Sequence, residues 1–218
     1  MAMSQYYGLD NLDERLAQYI PESSGFFVEL GAFDGVTQSN SLYFEQKGWR
    51  GILIEPIPPV YQVCVRNRPN ATVVNCACVS EDFKDANIEM TWAGLMSIVK
   101  GARKSDEADD EWVRRGEEIQ NIKRADIRVP ARTLSSILDQ YKAPTIDLLS
   151  LDVEGFEIGV LKGLDFTRHA PRNLLVEESD TDDIEDYLRK KGYMQVANLS
   201  RRPFTKDMLY RPDTKDSK

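Results

Sequence analysis

Short apolar runs recur along this chain, and the most informative of them end in acids. Phe26-Phe27-Val28 leads into Glu29-Leu30-Gly31-Ala32-Phe33-Asp34-Gly35, and Gly51-Ile52-Leu53-Ile54 ends at Glu55. The pattern predicts strands over Gly25 to Leu30, Arg50 to Glu55, Ala71 to Val79, Ile146 to Asp152 and Asn173 to Val176, the last followed by Glu177-Glu178. Continuous runs of this kind are typical of strands buried on both faces. Helices are predicted between them. They run over Asn11 to Ile20, Ser41 to Lys47 before Gly48, Thr133 to Leu138 begun by a Thr/Ser cap, Phe156 to Lys162 before Gly163, and Ile184 to Lys191 before Gly192. Pro56, Pro58 and Pro59 delay a further helix until about Val60, and it then runs to Asn67. Tyr193 to Ala197 and Asp207 to Tyr210 are the closing strands, with a frayed tail over 212–218. Repeated β–α alternation predicts an α/β fold with a mostly parallel sheet, helices on both faces and a site at the strands' C-terminal edge.

Residues 81 to 128 depart from this pattern. Ile88 to Trp92 is a short apolar run, and the chain from Lys100 to Arg128 is strongly charged, with Trp112, Val113 and Ile119 as one helical face. Long segments of this type are functional lids or disordered. The expectation is a single domain over 1–218 with a partly mobile lid in 81–128.

Strand, glycine turn, helix, strand, acid is a grammar for binding a nucleoside. A glycine lets backbone approach a ligand, and a carboxylate at a strand's C-terminal edge accepts two hydrogen bonds from a ribose diol. Dinucleotide sites want G-x-G-x-x-G, with a pyrophosphate on a helix N-terminus. Here Gly31 and Gly35 stand four apart, and Asp34 would repel a phosphate. An acidic turn suits a cation. S-adenosylmethionine (SAM) carries a sulfonium, an ammonium and a ribose for Glu55. The plain alternative is a turn that only joins two core strands; the pairing with Glu55 favours SAM.

The chain has 218 residues, enough for one domain burying roughly 70% of its unfolded surface. A net charge of −8 argues against nucleic acid as a partner. No apolar run approaches the ~20 residues that span a bilayer, and Met1 to Asp10 has no signal-peptide pattern, so no membrane insertion is expected. Cys64, Cys76 and Cys78 are an odd count, which suggests reduced thiols in a cytoplasmic protein. Cys76 and Cys78 are read as core or cleft packing, because the single histidine, His169, is remote in sequence.

Four strand ends carry acids: Glu29, Glu55, Asp152 and Glu177-Glu178. Glu154 alone is explained as a first-turn acid on a helix dipole, worth about 0.3–1 kcal/mol. Asp152 is not, since burial at a strand end costs energy unless something pairs with it. Its candidate partners are the SAM ammonium, a substrate hydroxyl or a divalent metal. Methyl transfer to oxygen needs a positioned acceptor and a group that accepts its proton. A carboxylate does this directly, or holds a metal that lowers the hydroxyl's pKa. Asp152, Glu154 and Glu177 are the expected catalytic residues, and as hard oxygen ligands they would also suit Mg²⁺ or Mn²⁺. Both routes stay open.

These residues fall in longer motifs. Val28 to Ser41 follows V-E-[LI]-G-A-x-D-G-V-[ST]-x-S-N-[ST], Gly48 to Pro56 follows G-W-[RK]-G-I-L-I-E-P, and Leu149 to Glu157 follows [LI]-S-[LI]-D-x-E-G-x-E. Val176-Glu177, Cys76-Ala77, Gly94-Leu95 and Gly192-Tyr193 fit too, and Arg66-Asn67-Arg68 approximates an Asn-Arg dipeptide. From about residue 25 to about residue 197 the chain resembles the FkbM family of SAM-dependent methyltransferases. The resemblance implies a Rossmann-like class I methyltransferase acting on a hydroxyl of a sugar, a glycan or another secondary metabolite, such as a polyketide or phenol. By position it implies Glu29, Gly31, Asp34, Gly35, Ser39 and Asn40 at the methionine end of SAM and Glu55 at the ribose, with Ala32 as another cofactor contact. Pro56 and Ala77 would be further cofactor contacts, and Asp152, which also touches the cofactor, would stand with Glu154 at the reacting centre. Relatives often follow the glutamate at the position of Glu177 with His-Asn, where this chain has Glu178-Ser179. That excludes a histidine base there and moves proton acceptance to the carboxylates. Phe83, Trp92 and Trp112 would stack on a sugar face or a flat aromatic. The competing reading is a non-catalytic SAM- or NAD-binding module. The intact Asp152-Val153-Glu154-Gly155 argues against a dead enzyme, and the missing third glycine argues against NAD.

Overall fold

The computed structural model describes residues 5–178, 184–201 and 206–213. Along the chain come α1 (Leu12–Tyr19), β1 (Phe26–Leu30), α2 (Leu42–Gln46), β2 (Arg50–Ile54), α3 (Pro58–Asn67), β3 (Thr72–Val74) and β4 (Ala77–Cys78). Then follow β5 (Asn87–Trp92), β6 (Ile98–Val99), α4 (Asp106–Gln120) and β7 (Ala125–Arg132). The rest holds α5 (Leu134–Gln140), β8 (Leu148–Leu151), α6 (Glu157–Leu161), α7 (Phe166–His169), β9 (Leu174–Glu178), α8 (Ile184–Lys190), β10 (Tyr193–Asn198) and β11 (Lys206–Pro212).

Seven strands form one sheet in the order β10-β11-β9-β8-β1-β2-β3. β3, β2, β1, β8 and β9 are parallel, while β11 and β10 close the edge antiparallel. Successive strand residues feed two cores. Val28, Ile52 and Leu149 pack with residues of α5, α6 and α8; Phe27, Leu53 and Leu148 pack with residues of α1, α2 and α3. Helices cover both faces, as the alternation predicts, and this is why these strands are largely apolar.

The chain order reverses at β1, which has β2 on one side and β8 on the other. Open α/β sheets bind ligands outside the strand ends at such a point. The parallel register aligns Leu30 with Ile54 and Leu151, and Leu151 with Val176. One step further stand Gly31, Glu55, Asp152 and Glu177, and the pair Glu177↔Asp207 extends the row. Four acids leave the sheet at one level.

Three features differ from expectation, each for a physical reason. The run from Ala71 to Val79 is two strands, not one. It breaks at Asn75-Cys76, where Asn75 Nδ2 donates to the carbonyls of Glu55 (2.8 Å) and Pro56 (2.9 Å). The chain thus leaves the main sheet after β3 and enters a second sheet, β4-β7-β5-β6, as β4. Secondly, α3 begins at Pro58 rather than near Val60. Prolines in a first turn lose no hydrogen bond, because those N–H groups have no helical acceptor. Thirdly, residues 81 to 128 form regular structure with a core. Ile88, Met90, Val99 and Val129 pack with Ile57, Ala77 and Val79, and Val113 of α4 is buried with Ala93 and Ile98. Ser179 and residues 214–218 of the expected frayed tail lie outside the described residues.

Candidate functional site

A cavity of ≈ 420 Å³ lies at the row of acids. The sheet side contributes the β1 turn, Glu55, Ser150, Asp152, Glu154 and Glu177. The facing side comes from the 81–128 segment, through Met90, the 3₁₀ turn Gly94–Met96, and Trp112, Arg115 and Ile119 of α4. Gln120 fastens that turn to the helix. Its Nε2 donates to Ala93 O (2.9 Å) and its Oε1 accepts from Leu95 N (2.8 Å). Of the residues expected from sequence, Glu29, Gly31, Ala32, Ser39, Asn40, Glu55, Pro56, Ala77, Asp152, Glu154 and Glu177 line the cavity; Asp34 and Gly35 do not.

Asp34 is used inside its own turn. Oδ1 accepts from Val36 N (2.9 Å) and Thr37 N (2.7 Å), and Oδ2 from Thr37 Oγ1 (2.8 Å). At Gly35 a Cβ would stand 2.6 Å from Arg68 Cγ, so packing explains the glycine. The structure gives both residues a part in shaping the loop.

Glu29 reaches the cavity with its oxygens already engaged. Oε1 accepts from Asn40 N (2.7 Å), and Oε2 from Ser39 Oγ (2.9 Å) and Ser41 Oγ (2.5 Å). Behind them, fully buried Arg68 donates to Glu45 Oε2 (2.8 Å), Gly35 O (2.8 Å), Ser39 Oγ (3.1 Å) and Ser41 Oγ (2.9 Å). This network pins the loop and turns Asn40 inward. Asn40 Nδ2 donates to Ser150 Oγ (3.2 Å), while its buried Oδ1 has no partner. A buried acceptor left so is costly unless a donor arrives from the cavity.

Glu55 Oε2 accepts from Phe33 N (2.9 Å) and Oε1 from Ile57 N (2.8 Å). Burial pushes its carboxyl up to about 7, against the pull of those two backbone donors. Each oxygen keeps acceptor capacity for a ligand.

Asp152, Glu154 and Glu177 bring carboxylate oxygens within 4.8 Å of one another. Burial, then the neighbouring Glu177, holds the Asp152 and Glu154 carboxyls well above the usual range. Arg103 Nη2, 3.6 Å from Glu154, pulls the other way. Its guanidinium also stacks on Trp112, 3.7 Å from the ring centroid. Glu154 has φ 60°, a left-handed conformation that residues other than glycine rarely adopt. Such strain persists where surrounding structure enforces it. Here Glu157 does so, its Oε1 accepting from Val153 N (3.0 Å) and Gly155 N (3.1 Å). Burial pushes the Glu157 carboxyl up to about 7. Gly31, at φ 75°, lies directly against this loop, since a Cβ there would be 1.9 Å from the Asp152 carbonyl oxygen.

Sequence reasoning placed Arg68 in a motif without a role, and missed Arg103, Gln120 and the clamping part of Glu157. Only the acid two residues after Gly155 carried a local signal, as a carboxylate able to reach back to preceding N–H groups. Cys76 and Cys78 are free and buried, as a packing role predicts.

No described helix is long and apolar enough to cross a membrane. No curated protein sequence matches the chain. Among solved structures it is similar to a Pyrococcus horikoshii protein named as a candidate RNA methyltransferase, at 11% identity and a TM-score of 0.49, covering 98% of this chain and 88% of that one. A TehB-like SAM-dependent methyltransferase from Corynebacterium glutamicum gives 10% identity and 0.46, covering 97% and 90%. The bifunctional kinase-methyltransferase WbdD gives 11% and 0.46; 93% of this chain is covered, but only 37% of WbdD. The profile described as "Methyltransferase FkbM domain" matches residues 29–194, from the acid of β1 through the Glu55 strand and the carboxylate trio into β10. With that match over most of its length, the chain belongs to the FkbM family of SAM-dependent methyltransferases.

Proposed function

We propose that this methyltransferase acts on a hydroxyl oxygen and that the acceptor is a sugar or glycan. The observation that supports this is one cavity holding Glu55 at the end of β2 and three crowded carboxylates beyond the ends of β8 and β9, across β1. The residues present fit SAM. Glu55 offers its remaining acceptor capacity to a ribose diol, the unpartnered Asn40 Oδ1 suits an ammonium, and Gly31 and Ala32 allow close backbone approach. When bound, SAM supplies a methyl group already activated by its sulfonium.

Asp152 takes the acceptor's hydroxyl proton onto a carboxylate oxygen, and Glu177 and Glu154 hold carboxylate oxygens within 4.8 Å of it. A carboxyl held above its usual range matches such a proton better near neutral pH. Arg103 balances charge on Glu154. Residues 81–128 serve as a lid, excluding water and offering Trp112 to a ring face. The one histidine, His169, sits 2.9 Å from Asp139 and does not line the cavity. A divalent metal is the other use of these oxygens; Arg103 beside them favours the direct route. Free, buried cysteines fit a cytoplasmic setting, and the charge of −8 disfavours nucleic acid.

The test is incubation with methyl-labelled SAM and a panel of monosaccharides, oligosaccharides and phenols, with product mapping by mass spectrometry. Label on a sugar oxygen is expected; label only on phenolic or polyketide oxygen, or on nitrogen, overturns the acceptor class. Rate lost in EDTA and restored by Mg²⁺ or Mn²⁺ would replace the direct proton route.

A further inference from the structure

We infer that the acceptor carries an anionic group, a carboxylate or a phosphate, and that Arg115 receives it; this rests on the proposed transfer in the same cavity. Arg115 lines the cavity from α4. Among the described residues it makes no ion pair and no side-chain hydrogen bond, and its neighbours behave differently. Arg114 pairs with Glu118, Arg124 with Asp110 and Glu117, and Arg103 with Glu154. Arg115 also has acids at helical spacing, Glu111 one turn before and Glu118 one turn after. Such pairs are worth about 0.2–0.5 kcal/mol. It takes neither.

Trp112 and Ile119 stand three residues before and four after Arg115, so the three share one face of α4. Ile119 is 65% exposed, although it is large and apolar. That face therefore offers the cavity an apolar plate and one unneutralised cation, in a chain of net charge −8. Against a neutral acceptor the guanidinium would contribute little, and a cationic one would be repelled. A carboxylate or phosphate would meet a planar fork that binds it through two parallel hydrogen bonds. The acids belong to the sheet edge and Arg115 to the helix, so an acceptor spanning them presents its hydroxyl to Asp152 and its anion to α4.

The experiment uses matched pairs, galactose with galacturonate and glucose with glucose 6-phosphate. Binding is read by calorimetry on protein saturated with the demethylated product of SAM, and kcat/KM is read where methyl transfer occurs. At least one anionic member should bind about tenfold more tightly than its neutral partner, the worth of a charge-assisted hydrogen bond. The uronate and phosphate arms tell which anion is meant. Arg115→Ala should erase the preference, Arg115→Lys should keep part of it, and SAM affinity should stay unchanged in both. Equal or absent binding of both anionic sugars overturns the inference, as does a preference that survives Arg115→Ala. Transfer to neutral sugars without anionic preference sinks this inference and leaves the proposed function standing. Transfer to no hydroxyl in the panel sinks the proposed function, and the binding arm still decides the role of Arg115.

Discussion

Glu29 and Asp152 are acids at the C-terminal ends of adjacent parallel strands, a few residues apart across the β1–β8 ladder. Their surroundings are opposite. Glu29 accepts three hydrogen bonds and has fully buried Arg68 behind it. Asp152 is crowded by Glu154 and Glu177, and burial holds its carboxyl well above the usual range. A carboxylate held by three donors with a buried cation behind it fixes a loop. One that is short of donors and close to like charges is available for a proton. Position at a strand end does not distinguish the two; the count of donors does.

This contrast can be broken experimentally. Asp152→Asn is expected to lower turnover about 10²–10⁴-fold, the worth of a positioned acid–base group. Stability should hold or rise, since one like charge leaves a buried cluster. Near-normal turnover would dissolve the contrast. At the other corner, Arg68→Met strands Glu29 and Glu45 without their cation, and denaturant unfolding should show a loss of about 3–5 kcal/mol. A loss below about 1 kcal/mol, the worth of an exposed pair, would mean that the network is dispensable.

Glu55 sits between these extremes, with two donors and capacity to spare. Glu55→Ala should weaken SAM binding by about 1–3 kcal/mol in calorimetry; unchanged affinity removes it from the ribose site. Its carboxyl, raised from 4.5 to about 7, adds a pH test. Ribose hydroxyls donate to the ionised form, so SAM affinity should climb as pH rises through about 7 and stay flat in Glu55→Gln. The same shift favours folding only at acid pH. That contribution is lost as pH rises from the unfolded value to about 7. The smallest effect concerns the facing wall. Hydrogen exchange over Lys100 to Arg128 should exceed that of the main sheet in free protein and slow with SAM and acceptor bound. Equal protection in both states would make the segment scaffold.

Much of the main sheet was legible because its strands are buried on both faces, which leaves unbroken apolar runs in the sequence. The acids of the site were legible because they interrupt those runs at Glu55, Asp152 and Glu177. What stayed hidden depends on partners distant in sequence. Arg68 looks like an ordinary helix-end cation until the fold buries it against Glu29 and Glu45. The sequence shows Asp34 and Gly35 as turn residues, but not the Thr37 hydroxyl and the Arg68 side chain that they meet. The break at Asn75 was in plain view as a polar residue within an extended run. Its meaning required the Glu55 and Pro56 carbonyls that its amide reaches.

The contact of Gly31 with the Asp152 carbonyl bears on how acceptor choice can change. With no side chain tolerated between them, the β1 turn and the acid-bearing loop stay packed backbone to backbone. Under the proposed function, diversification of this turn would therefore disturb SAM binding and proton acceptance together. Selection for new acceptors, natural or in a laboratory library, has its freest positions on the far wall, at Leu95, Met96, Arg115 and Ile119, where substitution leaves that contact intact.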